Sequence, residues 1–268
     1  MSFKSNIRHL LILIFLLIGR NSNHGGKGKT RVLVFHHLDK PTRFEKIITS
    51  LKKNYNFISF EDFVSGNLCK DKINLIVAFD DGYKSWFDFG AKIFKKHRIQ
   101  PMLFVNSDFI GLSSEGAYEY CQKHINTWQE ESLTWVQLQE LKKAGCTIGG
   151  HCLEHTDLTD RNLKQPEIFK LLQEDRKKIS EKLDQDTNIF AYPFGRWNES
   201  IVGEVSTTDY RYAFTSDSGY LDDSDSELKL KRTIVGMRSS FIAQAYAAGC
   251  AERLTSDVAK LRAIIDIF

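Results

Sequence analysis

Leu75-Ile76-Val77-Ala78-Phe79-Asp80-Asp81-Gly82-Tyr83 is the stretch whose reading decides the fold. An apolar run breaks off in two adjacent carboxylates and a glycine, the pattern of a buried strand, expected over 73–79, that delivers polar groups at its C-terminal end. Successive side chains on a strand point to opposite faces, so Asp80 and Asp81 are expected to do different work. Gly82 lets the backbone turn sharply without a Cβ in the way. The tripeptide by itself fits a surface turn equally well.

A second polar cluster, Gly149-Gly150-His151-Cys152-Leu153-Glu154-His155, follows another expected strand at 146–149. His151 and His155 are four apart, a spacing that puts both imidazoles on one side of a helical turn and lets them reach one cation. Two histidines and an aspartate are a sound donor set for zinc or a similar divalent ion with open coordination positions. Cys152 would point away from that shared face and reads as a small packed residue. Phe190-Ala191-Tyr192-Pro193-Phe194-Gly195 is a third apolar strand running into a turn.

These three segments, in this order, resemble the polysaccharide deacetylase family, the NodB-homology domain of carbohydrate esterases. Phe79 to Gly82 matches its first motif, His151 to His155 its second and Tyr192 to Gly195 its third. The resemblance runs from about Val32 to Val235 and is nearest the short poly-N-acetylglucosamine deacetylase-like subgroup, whose opening strand ends in an aromatic residue and His, here Phe35-His36. It implies an α/β fold, an irregular (β/α)7-type barrel, with one divalent metal ion, zinc foremost, held by Asp81, His151 and His155. It further implies Asp80 as general base, the Phe194 backbone amide as part of an oxyanion hole, and a polysaccharide or oligosaccharide substrate.

The chain departs from the family pattern in two places. Many members carry an Arg two residues before the proline that orients the catalytic aspartate, and here Ala191 stands there. The C-terminal His that serves as general acid in many members has no counterpart, because no His follows His155. The acid is therefore open between His36 and a water relayed through the metal site. Tyr83, Tyr192, Phe194 and Trp197 are read either as lining a sugar cleft or as core.

The 268 residues suffice for one barrel-sized domain. With 42% hydrophobic and 26% charged residues the composition is that of an ordinary soluble globular domain, and a net charge of +3 gives no ground for nucleic-acid binding. The N-terminus differs in kind. Lys4 and Arg8 precede the unbroken apolar run Leu10–Ile18, which reads as a signal peptide, or else an uncleaved anchor that would associate the protein with a membrane. The expected organisation is a signal or anchor with a flexible lead-in over 1–30 and the deacetylase-like catalytic domain over 31–268, exported in either case. Five cysteines permit at most two disulfides.

Between the motifs, Phe44, Ile47, Ile48 and Leu51 keep the spacing of a helix packed on a sheet, and Thr134 is placed to cap a helix that Gly145 ends. The repeating strand, polar turn and helix imply parallel strands with their chemistry at the C-terminal ends. The segment 107–132 has no clean period and reads as a cleft wall. Paired carboxylates in a barrel also suit a glycosidase, but that chemistry needs them about 5–10 Å apart rather than adjacent. A sugar-binding protein descended from an inactive enzyme, or a deacylase of a lipid-linked sugar, are the remaining alternatives.

Overall fold

The computed structural model describes residues 26–126, 129–222 and 225–249. The apolar run Leu10–Ile18, most of the lead-in, and the expected domain's last residues from Cys250 onward lie outside these residues. Among the described residues no helix is long and apolar enough to cross a membrane, and Cys69, Cys121, Cys146 and Cys152 are free thiols.

The strands are β1 (Thr30–Phe35), β2 (Asn56–Phe57), β3 (Asn74–Asp81), β4 (Met102–Val105), β5 (Thr147–Gly150), β6 (Ile189–Ala191), β7 (Tyr212–Phe214) and β8 (Thr233–Ile234). They form one sheet in the order β7-β6-β5-β4-β3-β1-β8, every ladder parallel, with β2 beside the start of β3. The curled sheet is closed by the segment around β8: Leu230 bridges in parallel to Phe214 of β7, and three residues later Thr233 pairs with Leu33 of β1. This is the irregular α/β barrel that the family resemblance implies. The last strand is only two residues long because the segment passes from one edge to the other.

Alternation along the strands builds two apolar layers. Val32, Val34, Ile76, Ala78, Phe104, Ile189, Ala191 and Phe214 pack together inside the barrel, while Leu33, Phe35, Leu75, Val77, Phe79 and Leu103 lie under the helices. The helices α1 (Pro41–Leu51), α2 (Phe60–Val64), α3 (Ala91–His97), α4 (Ser114–Tyr120), α5 (Trp135–Lys143), α6 (Gln165–Leu183), α7 (Glu199–Ser206) and α8 (Ser240–Ala247) follow the strands. α1 starts on Pro41 and buries the expected Phe44, Ile47, Ile48 and Leu51. Thr134 and Gln137 form the capping box of α5, and Gly145, at φ +96°, follows its end.

The segment 107–132, expected as a loop, carries α4 and a π-helical turn over Cys121–Ile125. A second π-helical turn, Trp86–Gly90, leads into α3. The insertion is pinned at its base to the turn after β3: Leu133 N–H donates to the Gly82 carbonyl (2.9 Å) and Lys84 N–H to that of Glu131 (2.9 Å).

Candidate metal centre

Strand register decides which residues meet. Asp81 pairs with Val105, Val105 with Gly150 and Gly150 with Phe190, so these four stand at one level at the C-terminal edge of the sheet. Gly150 must be small, since a Cβ there would lie 2.1 Å from the Tyr210 hydroxyl and 2.4 Å from Asp175 Oδ2. Asn106, His151 and Ala191 come one residue higher. Asp80 is in phase with Ile76 and Ala78 and faces the barrel interior. Asp81 is in phase with Leu75, Val77 and Phe79, which lie under the helices, and an unbroken strand would send it there. Its φ of +93° swings the carboxylate round to the mouth instead.

There Asp81 Oδ1 lies 3.7 Å from His151 Nε2 and 3.6 Å from His155 Nε2, and the three ligand atoms fall within 4.8 Å of one another, all on buried residues. The histidines do not share a helical turn as their spacing suggested. Left-handed backbone at Cys152 (φ +67°) and His155 (φ +55°) folds the loop so that the rings converge, with centroids 4.9 Å apart. Cys152 is buried in a separate apolar cluster, away from the donors.

Each imidazole is held by a carbonyl. His151 Nδ1–H donates to the Ala191 oxygen (2.7 Å) and His155 Nδ1–H to the His124 oxygen (3.2 Å). A carbonyl can only accept, so both rings carry their proton on Nδ1 and turn the Nε2 lone pair toward Asp81. Burial lowers the His151 pKa to about 3, and burial likewise lowers that of His155, so both are neutral bases. Burial raises the Asp81 pKa to about 6, the neighbouring charge of Asp80 adding to it and that of His36 opposing it. The separations are too long for hydrogen bonds and near the donor spacing of about 3.3 Å that tetrahedral zinc would require. Two neutral imidazoles and a carboxylate converging without a proton between them fit a divalent cation.

Asp80 is committed elsewhere. Arg232 Nη1 donates to its Oδ1 at 2.7 Å, both side chains being almost completely buried. The guanidinium spans the barrel, with Nε donating to the Thr215 carbonyl (3.0 Å) and the plane 5.1 Å from the centroid of Phe104, the register partner of Asp80. Burial alone would raise the Asp80 pKa, but the charge of Arg232 and its hydrogen bond hold it below its ordinary value. Asp80 is therefore ionised and held in place beside the donor set. Arg232 was missed in the sequence. The available signal was weak: Arg232 shares its strand phase with the buried Leu230, but Ile234, two residues on, is exposed, so alternation alone does not mark the arginine as inward.

His36 stands half-buried at the end of β1, its carbonyl accepting from Trp86 Nε1 (2.7 Å), and its charge acts on both Asp80 and Asp81. Phe194, at φ +57°, sets its ring 4.3 Å from that of His155 and remains 43% exposed, so it faces both the donor set and solvent. Trp197 is half-buried, Nε1 donating to Asp217 Oδ2 (2.8 Å). Tyr83 and Tyr192 are fully buried and belong to the core.

A sequence model of the family described as polysaccharide deacetylase matches residues 67–213, more than half of the chain. The Bacillus subtilis (strain 168) protein YxkH, named for polysaccharide deacetylases, is 25% identical over 145 residues, 54% of this chain and 45% of its own length. The chain thus spans less than half of that curated relative. Among solved structures, the Streptococcus pyogenes deacetylase PplD in complex with acetate superposes with a TM-score of 0.65 at 20% identity, covering 81% of this chain and 98% of that one. IcaB from Ammonifex degensii gives 0.66 at 19% identity, covering 82% and 97%. At these identities the superpositions speak for the fold.

Proposed function

The chain belongs to the polysaccharide deacetylase family, and on that premise we propose that it is a zinc-dependent hydrolase that removes N-acetyl groups from an exported or cell-surface polysaccharide. The observation that carries the reading is the convergence of Asp81, His151 and His155 beside an Asp80 already ionised and held by Arg232. Hydrolysis adds water to the acetyl carbonyl and breaks the carbon–nitrogen bond, releasing acetate and a free amine. Asp81 Oδ1 and the two Nε2 atoms would hold the ion. A divalent cation there supplies acidification of a water and polarisation of the carbonyl.

The protein's own groups supply the rest. Asp80 takes the proton of the attacking water, and Arg232 keeps its carboxylate aimed and charged while it does so. The Phe194 N–H is assigned to the developing oxyanion, a duty the preceding Pro193 has no proton to perform. His36 is assigned the proton given to the leaving amine. The exposed ring of Phe194 suits a sugar ring laid across the mouth. Export is inferred from Lys4, Arg8 and Leu10–Ile18.

Acetate release from N-acetylglucosamine polymers, before and after chelation, tests the reading. Turnover should vanish on chelation and return with zinc. Turnover unaffected by complete metal removal would refute it. For His36, replacement by Ala should impair amide hydrolysis about 10²–10⁴-fold while sparing an activated aryl acetate, whose phenolate leaves unprotonated. Equal losses on both substrates would move the acid elsewhere.

A further inference from the structure

Asn106 is neither one of the three ion donors nor part of the Asp80–Arg232 pair, yet it joins the two strand ends on which the donors sit. It is the first residue past β4, between the ends of β3 and β5. Its backbone N–H donates to the Asp81 carbonyl (3.3 Å). Its side-chain Nδ2 donates to the carbonyls of His151 (2.7 Å) and Cys152 (3.3 Å). Its own carbonyl accepts from Phe109 N–H (3.0 Å), and the next residue, Ser107, donates its N–H to Asp175 Oδ1 of α6 (3.2 Å). One buried residue thus ties Asp81 to His151 and is itself anchored from behind.

Two features mark this as more than local packing. Asn106 is completely buried, and its Oδ1 has no hydrogen-bond partner among the described residues. A buried amide that leaves its acceptor unmet is poor for stability, so its retention points to what its donor half holds. Both backbones that it grips are also in the left-handed region, Asp81 at +93° and Cys152 at +67°. Such conformations persist only where the surroundings over-determine them. The first brings the Asp81 carboxylate to the mouth, and the second turns the loop that brings His155 round to it.

We propose that Asn106 is a positioning residue that fixes the separation and orientation of Asp81 relative to His151, and so sets the affinity and geometry of the cation site without touching the ion. The inference rests on the metal site proposed above. Partners of this kind around a donor set are typically worth about 10–100-fold in metal affinity.

The test uses the full chain with Asn106→Leu, close in volume, and Asn106→Ala as the alternative should the first fail to fold. Zinc affinity is measured by competition with a chromophoric chelator, the visible bands of the cobalt-loaded protein report coordination geometry, and circular dichroism of the metal-free forms reports folding. His151→Ala is run beside them. The proposal predicts a normal metal-free fold, zinc affinity lowered about 10–100-fold, displaced cobalt bands, and turnover recovered by raising zinc with KM for the glycan unchanged. Wild-type affinity and cobalt bands in a folded variant, with binding abolished in His151→Ala, would overturn the role of Asn106 and leave the metal site standing. No ion bound by the wild type would overturn both, and failure of both Asn106 variants to fold would make it a determinant of the fold rather than of the site.

Discussion

The two histidines of the site are held by different parts of the molecule. His151 is the first residue past β5, leans on a carbonyl of the neighbouring strand β6 and has its backbone clamped by the fully buried Asn106. His155 is four residues out on a loop, and its Nδ1 partner is the carbonyl of His124, in the π-helical turn of the insertion between β4 and α5. Its ring is covered by a 43% exposed Phe194. The barrel-held half of the site, with Asp80, Asp81 and His151, is fixed by the same contacts that make the core. The other half rests on the loop that carries His155 and on the exposed Phe194, so it is where affinity can be tuned with least disturbance to the fold.

The largest expected effect lies on the barrel side. Asp80→Asn should keep one equivalent of zinc and lower turnover by about 10²–10⁴, measured as acetate release at saturating metal. Near-normal rates would remove Asp80 as the base. Next comes Arg232→Met, which leaves a buried carboxylate without its counter-charge. It should cost about 3–5 kcal/mol of stability in denaturant titration, as broken buried pairs do. A loss below 1 kcal/mol would mean the pair is not integral to the barrel.

The same half predicts a pH dependence. Burial raises the Asp175 pKa to about 7 from an ordinary 3.8, against the hydrogen bonds from Ser107 and Tyr210. A group whose folded pKa lies above its unfolded value contributes its stabilisation fully below pH 3.8 and loses it as pH rises through about 7. Asp175→Asn should therefore flatten stability over that window and leave the protein more stable above it, by up to about 4 kcal/mol. Parallel pH profiles for the two proteins would contradict the buried-acid reading. Phe194→Ala, which uncovers the His155 ring from a 43% exposed position, should weaken zinc binding with the unfolding midpoint little changed, read by chelator competition and denaturant titration. If the midpoint collapses instead, that side of the site is part of the core and the contrast between the two halves fails.

The same contrast explains how much could be read in advance. The strands and their polar ends were legible because apolar runs ending in Asp80-Asp81-Gly82 and Gly149-Gly150-His151 are local patterns, and the residues they deliver stay on their strands. The convergence of His155 was expected for the wrong geometric reason, since it comes from left-handed backbone at positions 152 and 155 rather than from helical spacing. Arg232 lies 152 residues from its partner and reaches it only because the segment around β8 closes the barrel. In the family pattern the arginine stands where this chain has Ala191, and here that residue's carbonyl holds His151. The hydrogen bonds of Asn106 and His124 to the site use backbone groups at one or both ends, which no side-chain motif records.

The central claim is that Asp81, His151 and His155 together form one divalent-cation site. Elemental analysis of the wild type and of Asp81→Asn, His151→Ala and His155→Ala, each dialysed against the same zinc buffer, tests it most directly. The account predicts close to one equivalent of zinc per wild-type chain and almost none in any of the three variants. Undiminished zinc in His151→Ala and His155→Ala would place the ion elsewhere and contradict it.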